Sequence, residues 1–394
     1  MNDEQRLRDR LEAIDVPPSR IDTEALLRAG RRRAFRRRSV RGAGVAALGT
    51  VLLLAVPPIL MGARPLPALE TGPSRNVASS ATAGNTAARC KMSELPVPSG
   101  MNDVTVEAVD PTGRYVVGNS AVGQDFRPIL WTDGQPQQLP VPGKSVQATS
   151  VNRNGVVVGL VQDPDQQYIF RYANGVFSGL RTLPKSWQVY SNPAINGAGD
   201  VVINVDTFGD SAQKNEIVML WKAGSATAVK LPLPAGALSH DFTDEGTIVG
   251  GTYQNGIAQA AYTWDQQGKG NKLELPAGQA GVAYAARGDW ATGGMWPSLS
   301  TALWNRRTGG LTVLTAGLPK SPGGWKPGPG NAVNAAGWVV AGGLLLRGDG
   351  VVELAVPKGE TSRAVAVSDT GVIVGQALVT GRDDENRGPR LWRC

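Results

Sequence analysis

Histidine is almost absent from this chain. The 394 residues include one, His240, and only two cysteines, Cys90 and Cys394. Multi-histidine metal cages and Cys/His zinc sites are therefore excluded, and no metal ligand or cofactor is assigned. A Ser-His-Asp triad would have to run through His240, and no serine has a nucleophile's setting. The chain has no G-x-S-x-G elbow, no H-E-x-x-H and no phosphate-cradling Gly-rich loop. Paired carboxylates for glycoside chemistry stay open, because acidic residues total 33. Aromatic residues make up only 6% of the chain, and ten of them are Trp.

An excess of charge is also missing from most of the chain. The formal net charge is +7, but residues 1–41 hold twelve Arg against seven acidic residues. That leaves the remainder nearly neutral, so the pI near 9.5 does not argue for nucleic-acid binding. The exception is a cluster of Arg28, Arg31, Arg32, Arg33, Arg36, Arg37, Arg38 and Arg41. It stands directly before an uncharged run, Gly42 to Ala63. Twenty-two apolar and small residues suffice to cross roughly 30 Å of hydrocarbon as a helix. Arginine accumulates on the cytoplasmic side, so the N-terminus is expected inside and the rest outside, at the plasma membrane. A cleaved signal peptide fits less well, because the 41 residues ahead of the run far exceed an ordinary n-region. The Arg cluster reads as a topology signal that also meets anionic lipid.

Residues 4–15 place Leu7, Leu11 and Ile14 on one helical face, and Pro17-Pro18 ends that helix. A second helix is expected from Asp22 into the Arg cluster. This 1–41 segment is too small to hold a core of its own. It reads as a topogenic tail or as a docking segment for a cytoplasmic partner. Its style is similar to the leaders of actinobacterial single-pass proteins, some of them anti-sigma-like. Residues 64–89 are Pro-, Ser-, Thr-, Ala- and Gly-rich and read as a spacer without a fold.

Glycine and proline, at 50 and 27 residues, are abundant, and they punctuate a repeat. Seven segments share an apolar run, a turn ending in Gly, and a β-branched run. They are AVDPTGRYVVG (108–118), SVNRNGVVVG (150–159), AINGAGDVVIN (194–204), FTDEGTIVGG (242–251), AARGDWATGG (285–294), AVNAAGWVVAGG (332–343) and AVSDTGVIVG (366–375). The turn glycines Gly113, Gly155, Gly199, Gly246, Gly288, Gly337 and Gly371 recur every 43 residues on average. Each is expected to supply a left-handed turn position. A second strand follows in each unit, with Trp131, Trp221, Trp264, Trp304 and Trp392 in one slot and Arg171 and Arg347 assigned to it in the other two. A Leu-Pro ending recurs at Leu139, Leu183, Leu231 and Leu275. A four-stranded sheet apolar on both faces cannot bury itself, whereas a ring of such sheets can. The fold class predicted is all-β: a propeller of seven blades, with six as the alternative, over residues 90–394. One transmembrane helix (42–63) and a short helical tail precede it.

These segments resemble the HAF-repeat proteins, whose pattern is close to A-I-N-x-x-G-x-V-V-G followed by A-F-L-W. Ala194-Ile195-Asn196 with Gly199, and Val333-Asn334 with Gly337, carry the match. The resemblance implies a propeller-like fold in an extracellular setting and no activity. Copies five and six depart most, with Ala286-Arg287 for the Ile-Asn pair and Leu345-Leu346-Arg347 for the Trp strand.

The last copy stops at Cys394 without a fourth strand, and Cys90 to Pro96 offers one with the same Leu-Pro ending. The N-terminal strand is thus expected to complete the final blade. Cys90 and Cys394 then flank the missing hairpin turn and are expected to form a disulfide, as an oxidising compartment allows.

The Asn/Asp-x-x-Gly turns should face one end of the ring, and the longer loops the other. On the loop face the candidate ligand residues are Trp187, Tyr190, Asp206, Asp210, His240, Tyr253, Trp296, Trp325, Asp383, Asp384 and Glu385. Exposed aromatics there would stack on a sugar or a partner's side chain. Asp163-Pro-Asp165 and Asp383-Asp384-Glu385 have carboxylates for Ca²⁺ but not EF-hand spacing. The recurrent Trp residues are expected to be core between blades. The S-x-D-x-G-x-T-W box of sialidase-type propellers is absent. The function expected is a membrane-anchored extracytoplasmic module that binds or scaffolds a protein or cell-wall polymer. A transmembrane sensor and an extracellular hydrolase or lyase are the alternatives.

Overall fold

The computed structural model describes residues 90–394 except 124, 164–166, 181–186, 190–192, 208–215, 226, 315–327 and 349. All of them fall in the unit Ala43–Cys394. The tail, the apolar run 42–63 and the spacer lie outside the described residues, as do Leu183-Pro184. No helix among the described residues is long and apolar enough to cross a membrane.

The described residues form a seven-bladed β-propeller. Seven antiparallel sheets follow in chain order, and each is built from a sequence-consecutive meander except the last. In blade 1 the strands run Val104–Val109, Tyr115–Val122, Asp125–Thr132 and Gln135–Gln138, from the innermost outward. The innermost strands of blades 2, 4, 5 and 7 are Ser145–Val151, Ala237–Phe242, Ala280–Arg287 and Glu360–Val367. Blade 3 has two short inner pieces, Trp187–Val189 and Ala194–Ile195, and blade 6 has Ala332–Val333.

Burial explains why seven weak sheets make one body. Val116 and Val117 point to opposite faces of blade 1, and both are buried. Such residues segregate into seven apolar clusters among the described residues, one for each blade–blade interface. The cluster of Leu95, Val104, Val116, Trp131, Val374 and Leu391 joins blade 7 to blade 1, so the stack closes on itself. The alternative of six blades is excluded.

The turn residues act twice. Asn152 Oδ1 accepts the N–H groups of Asn154 and Val156 at 3.0 and 3.1 Å. Its Nδ2 donates to the Asn196 carbonyl of the next blade at 3.0 Å. Asn334 repeats this with Ala336, Trp338 and Ser368. The turn glycines have φ between 55° and 89°, where a side chain would be strained.

The Trp slot is core, as expected. Trp131, Trp221, Trp264, Trp304 and Trp392 are at most 1% exposed. Each packs toward the preceding blade, and the Trp131, Trp304 and Trp392 indoles donate to the carbonyls of Pro96, Glu274 and Ala355 there. Two assignments need correction. Strand pairing puts Tyr172, not Arg171, and Leu346, not Arg347, opposite the residues that face Trp elsewhere. A cationic side chain in that buried slot would lack a partner, and both substitutes are apolar-bodied. In blade 4, Leu273 rather than Leu275 is the buried ending residue, and its N–H reaches the Ala261 carbonyl at 2.9 Å.

Blade 7 closes as read. Lys91–Glu94 pairs with the last strand, Lys91 opposite Arg393 and Glu94 opposite Arg390. Cys90 and Cys394 are disulfide-bonded across 304 residues of chain, at the place where Asp133-Gly134 turns in blade 1.

Candidate functional site

Both ends of the ring axis carry charged or aromatic side chains, but they are built differently. At the turn end, ion pairs join blades that are not neighbours. Arg153 of blade 2 pairs with Asp244 of blade 4, passing over blade 3. Asp244 also takes Arg287 Nη1 of blade 5 at 2.9 Å. Arg287 Nε reaches Asp369 of blade 7 at 3.0 Å, passing over blade 6. The blades passed over join through backbone: Gly197 N–H donates to Asp244 at 2.6 Å and Ala335 N–H to Asp369 at 2.8 Å. Asp369 N–H donates to the Pro111 carbonyl of blade 1 at 2.9 Å. This chain of charges touches every blade at the turn end of the channel. Burial opposes ionisation of Asp244, but Arg287, Arg153 and the Gly197 N–H outweigh it and hold the carboxyl below its ordinary value. Gly197 has no room to be larger, since a Cβ there would lie 2.7 Å from Asp244 Oδ1.

Halfway along the channel, the innermost strands of blades 1, 2, 4, 5 and 7 each carry a β-bulge. The extra residue is Glu107, Thr149, His240, Tyr284 and Val365 respectively, and bulges re-aim such side chains. Each stands three residues before its turn residue. Thr149 is spent on carbonyls of its own and the next blade. The remaining polar ones, Glu107, His240 and Tyr284, are only half-buried.

His240 and Tyr284 begin an aromatic wall that climbs toward the loop end. His240 Nε2 and the Tyr253 hydroxyl share a hydrogen bond of 2.8 Å. The His240 and Tyr284 rings meet edge-on at 5.1 Å, and Tyr284 meets Trp296 likewise at 6.3 Å. Blades 4 and 5 supply all four, and all four keep solvent contact. Burial disfavours the charged forms here, so His240 is lowered to about 4 and Tyr284 is raised.

Blade 1 stands across the ring. Glu107 Oε1 accepts from Thr105 Oγ1 at 3.1 Å and from Asn119 Nδ2 at 3.4 Å. Burial raises the Glu107 carboxyl to about 8, against the pull of those donors and of Arg363. It is therefore mostly protonated at neutral pH. Asn119 is itself fixed, donating to the Ala148 carbonyl and accepting its N–H in blade 2.

Of the candidates read from sequence, His240, Tyr253 and Trp296 come together in this wall. Asp206 does not belong to an open face, being fully buried in the strand Val201–Thr207. The segment read as a loop at 376–388 is a hairpin extension of blade 7, with Val379 opposite Arg382. Glu385 sits on it, paired with Arg382 and Arg387. Tyr190, Asp210 and Trp325 lie outside the described residues, as do the side chains of Trp187, Asp383 and Asp384 and part of Asp163-Pro-Asp165. No cluster of three metal-ligating side chains occurs among the described residues. Glu107, Tyr284, Arg363 and the ion chain of the turn end escaped the sequence reading. Their signal was positional: bulge residues at a constant offset before the turn, and charges at the turn itself.

No family model matches this chain, and no curated protein matches it significantly. The HAF-repeat resemblance thus rests on its residues alone. Solved structures are similar in fold. An oligogalacturonate lyase from Vibrio parahaemolyticus is 9% identical, with a TM-score of 0.51 over 77% of this chain and 97% of that one. The β-propeller domain of the Trilobed protease from Pyrococcus furiosus is 10% identical, with a TM-score of 0.48 over 74% and 94%. At such identities the likeness shows the fold alone.

Proposed function

We propose that this propeller is a binding module that takes its ligand at the loop end of the channel. One observation carries the reading. The charged side chains at the turn end already satisfy one another, while His240, Tyr284 and Trp296 form a half-exposed aromatic wall toward the loop end. Pockets that bind tend to combine aromatic surface with a few placed polar groups, as here. The Arg cluster ahead of the apolar run 42–63 supports an anchored module at the plasma membrane, with Arg31, Arg32, Arg33, Arg36, Arg37, Arg38 and Arg41 inside. The disulfide fits an oxidising outer compartment. A protein or cell-wall polymer outside the cell is then the partner, and the tail is free to meet a cytoplasmic one.

Capture from a cell-envelope extract tests the reading. Full-length protein should retain a partner that Tyr284→Ala and Trp296→Ala variants lose. Capture unaffected by both variants would place binding elsewhere. A hydrolase or lyase draws support from the protonated Glu107, a ready general acid. It ranks second because, among the described residues, no second carboxylate is paired with that acid. The sensor alternative predicts that deleting residues 1–27 abolishes a transcriptional response.

A further inference from the structure

We infer that the ligand is the free end of a saccharide chain, inserted into the channel from the loop end. The inference rests on the binding reading above and adds the chemical class and the mode of entry.

The two walls of the channel differ as the two aspects of a sugar ring differ. In a ring of seven, the seam between blades 4 and 5 stands opposite blade 1. That seam offers Tyr284 and Trp296, set nearly perpendicular, so that the face of one ring can cover the C–H side of a pyranose while the other flanks it. Blade 1 offers Glu107, whose Oε1 accepts from Asn119 and Thr105 and whose half-exposed carboxyl can meet a hydroxyl. His240 and the Tyr253 hydroxyl add a bonded donor–acceptor pair at the wall's edge. At neutral pH the carboxyl is protonated and the imidazole neutral. Neutral donors and acceptors beside aromatic faces, with the Arg363 guanidinium near Glu107 as a further donor, suit hydroxyl groups.

The charged turn end sets the mode of entry. Arg153–Asp244 and Arg287–Asp369 each bridge over an intervening blade, so a neutral chain passing the turn end would have to break into this string of ion pairs. A polymer then reaches Tyr284 only by presenting a terminus.

A glycan array of linear oligosaccharides, each attached by its reducing end, tests this with the detergent-solubilised full chain. Wild type should bind at least one oligosaccharide class. Tyr284→Ala should weaken that binding about tenfold, as loss of a stacking ring predicts. Glu107→Gln, which keeps a donor, should stay within about threefold, and Glu107→Ala should not. Val176→Ser, on the outermost strand of blade 2, should change nothing. Cutting the corresponding soluble polymer into more ends at equal mass should raise the amount bound in proportion. Binding that survives Tyr284→Ala, or that ignores the number of ends, overturns the inference. If folded wild type binds no glycan but still captures an envelope protein through Tyr284 and Trp296, the saccharide class fails while the binding module stands. Folding of each variant is checked by its thermal midpoint and intact Cys90–Cys394 bond.

Discussion

Glu107 and His240 tilt the stability of the ring in opposite senses as pH changes. Glu107 rises from an ordinary 4.5 to about 8, so the folded state holds a proton that the unfolded chain has released. Its contribution is complete below 4.5 and is lost as pH rises through about 8. His240 falls from 6.5 to about 4, so its neutral form favours the fold above 6.5, and that advantage is lost as pH falls through about 4. Urea midpoints of Glu107→Gln should therefore lose the decline seen between pH 6.5 and 8. Those of His240→Gln should rise as pH falls from 6.5 to 4.5, because the gain from Glu107 is then no longer offset by the loss from His240. Arg287 is the keystone of the ion chain, at 20% side-chain exposure between Asp244 and Asp369. Arg287→Met leaves two carboxylates without their shared partner. It should cost about 1–3 kcal/mol, less than a fully buried pair because solvent still reaches all three. Because Asp244 is held low, that loss should be present at neutral pH and shrink below about pH 4, as read from denaturation midpoints.

Within each blade, the third strand sets the packing register. Trp304 has no exposure and fills the interface of blades 4 and 5. Trp304→Ala should cost about 3–5 kcal/mol by chemical denaturation, through lost burial and a residual cavity. The same slot holds Tyr172 and Leu346, which the sequence reading missed by one residue in each direction. The slot is defined by pairing with Val157 and Val339 across the preceding hairpin, and an arginine beside an apolar residue does not by itself mark which of the two faces the interface. The hairpin extension at 382–386 was read as a loop because Arg382, Asp383, Asp384 and Glu385 carry no strand pattern. Pairing with Leu378 and Val379 imposes the strand conformation there.

For the whole molecule, closure is the cooperative step, because no sheet covers both of its faces until its two neighbours arrive. The Lys91–Glu94 strand joins the first described residues to the last strand, and the disulfide makes that junction covalent. The chain-entropy model assigns a bridge over so long a loop roughly 5 kcal/mol as an upper guide. Cys394→Ser should therefore lower the urea midpoint. Adding a reductant should lower the wild-type midpoint to match and leave the variant unmoved.

The number of blades, their strand order and the way the ring closes were legible in the chain itself. Each is encoded locally: a turn glycine and its Asn or Asp every 43 residues on average, a buried aromatic slot, and a stray strand with a matching cysteine. What lines the channel was decided by tertiary structure. Arg153 meets Asp244 from 91 residues away, and Arg287 meets Asp369 from 82. No local propensity records such pairs, because they form only once curvature brings non-adjacent blades to a common axis. The bulges that aim Glu107, His240 and Tyr284 into that axis are likewise a property of paired strands, not of any one strand's sequence.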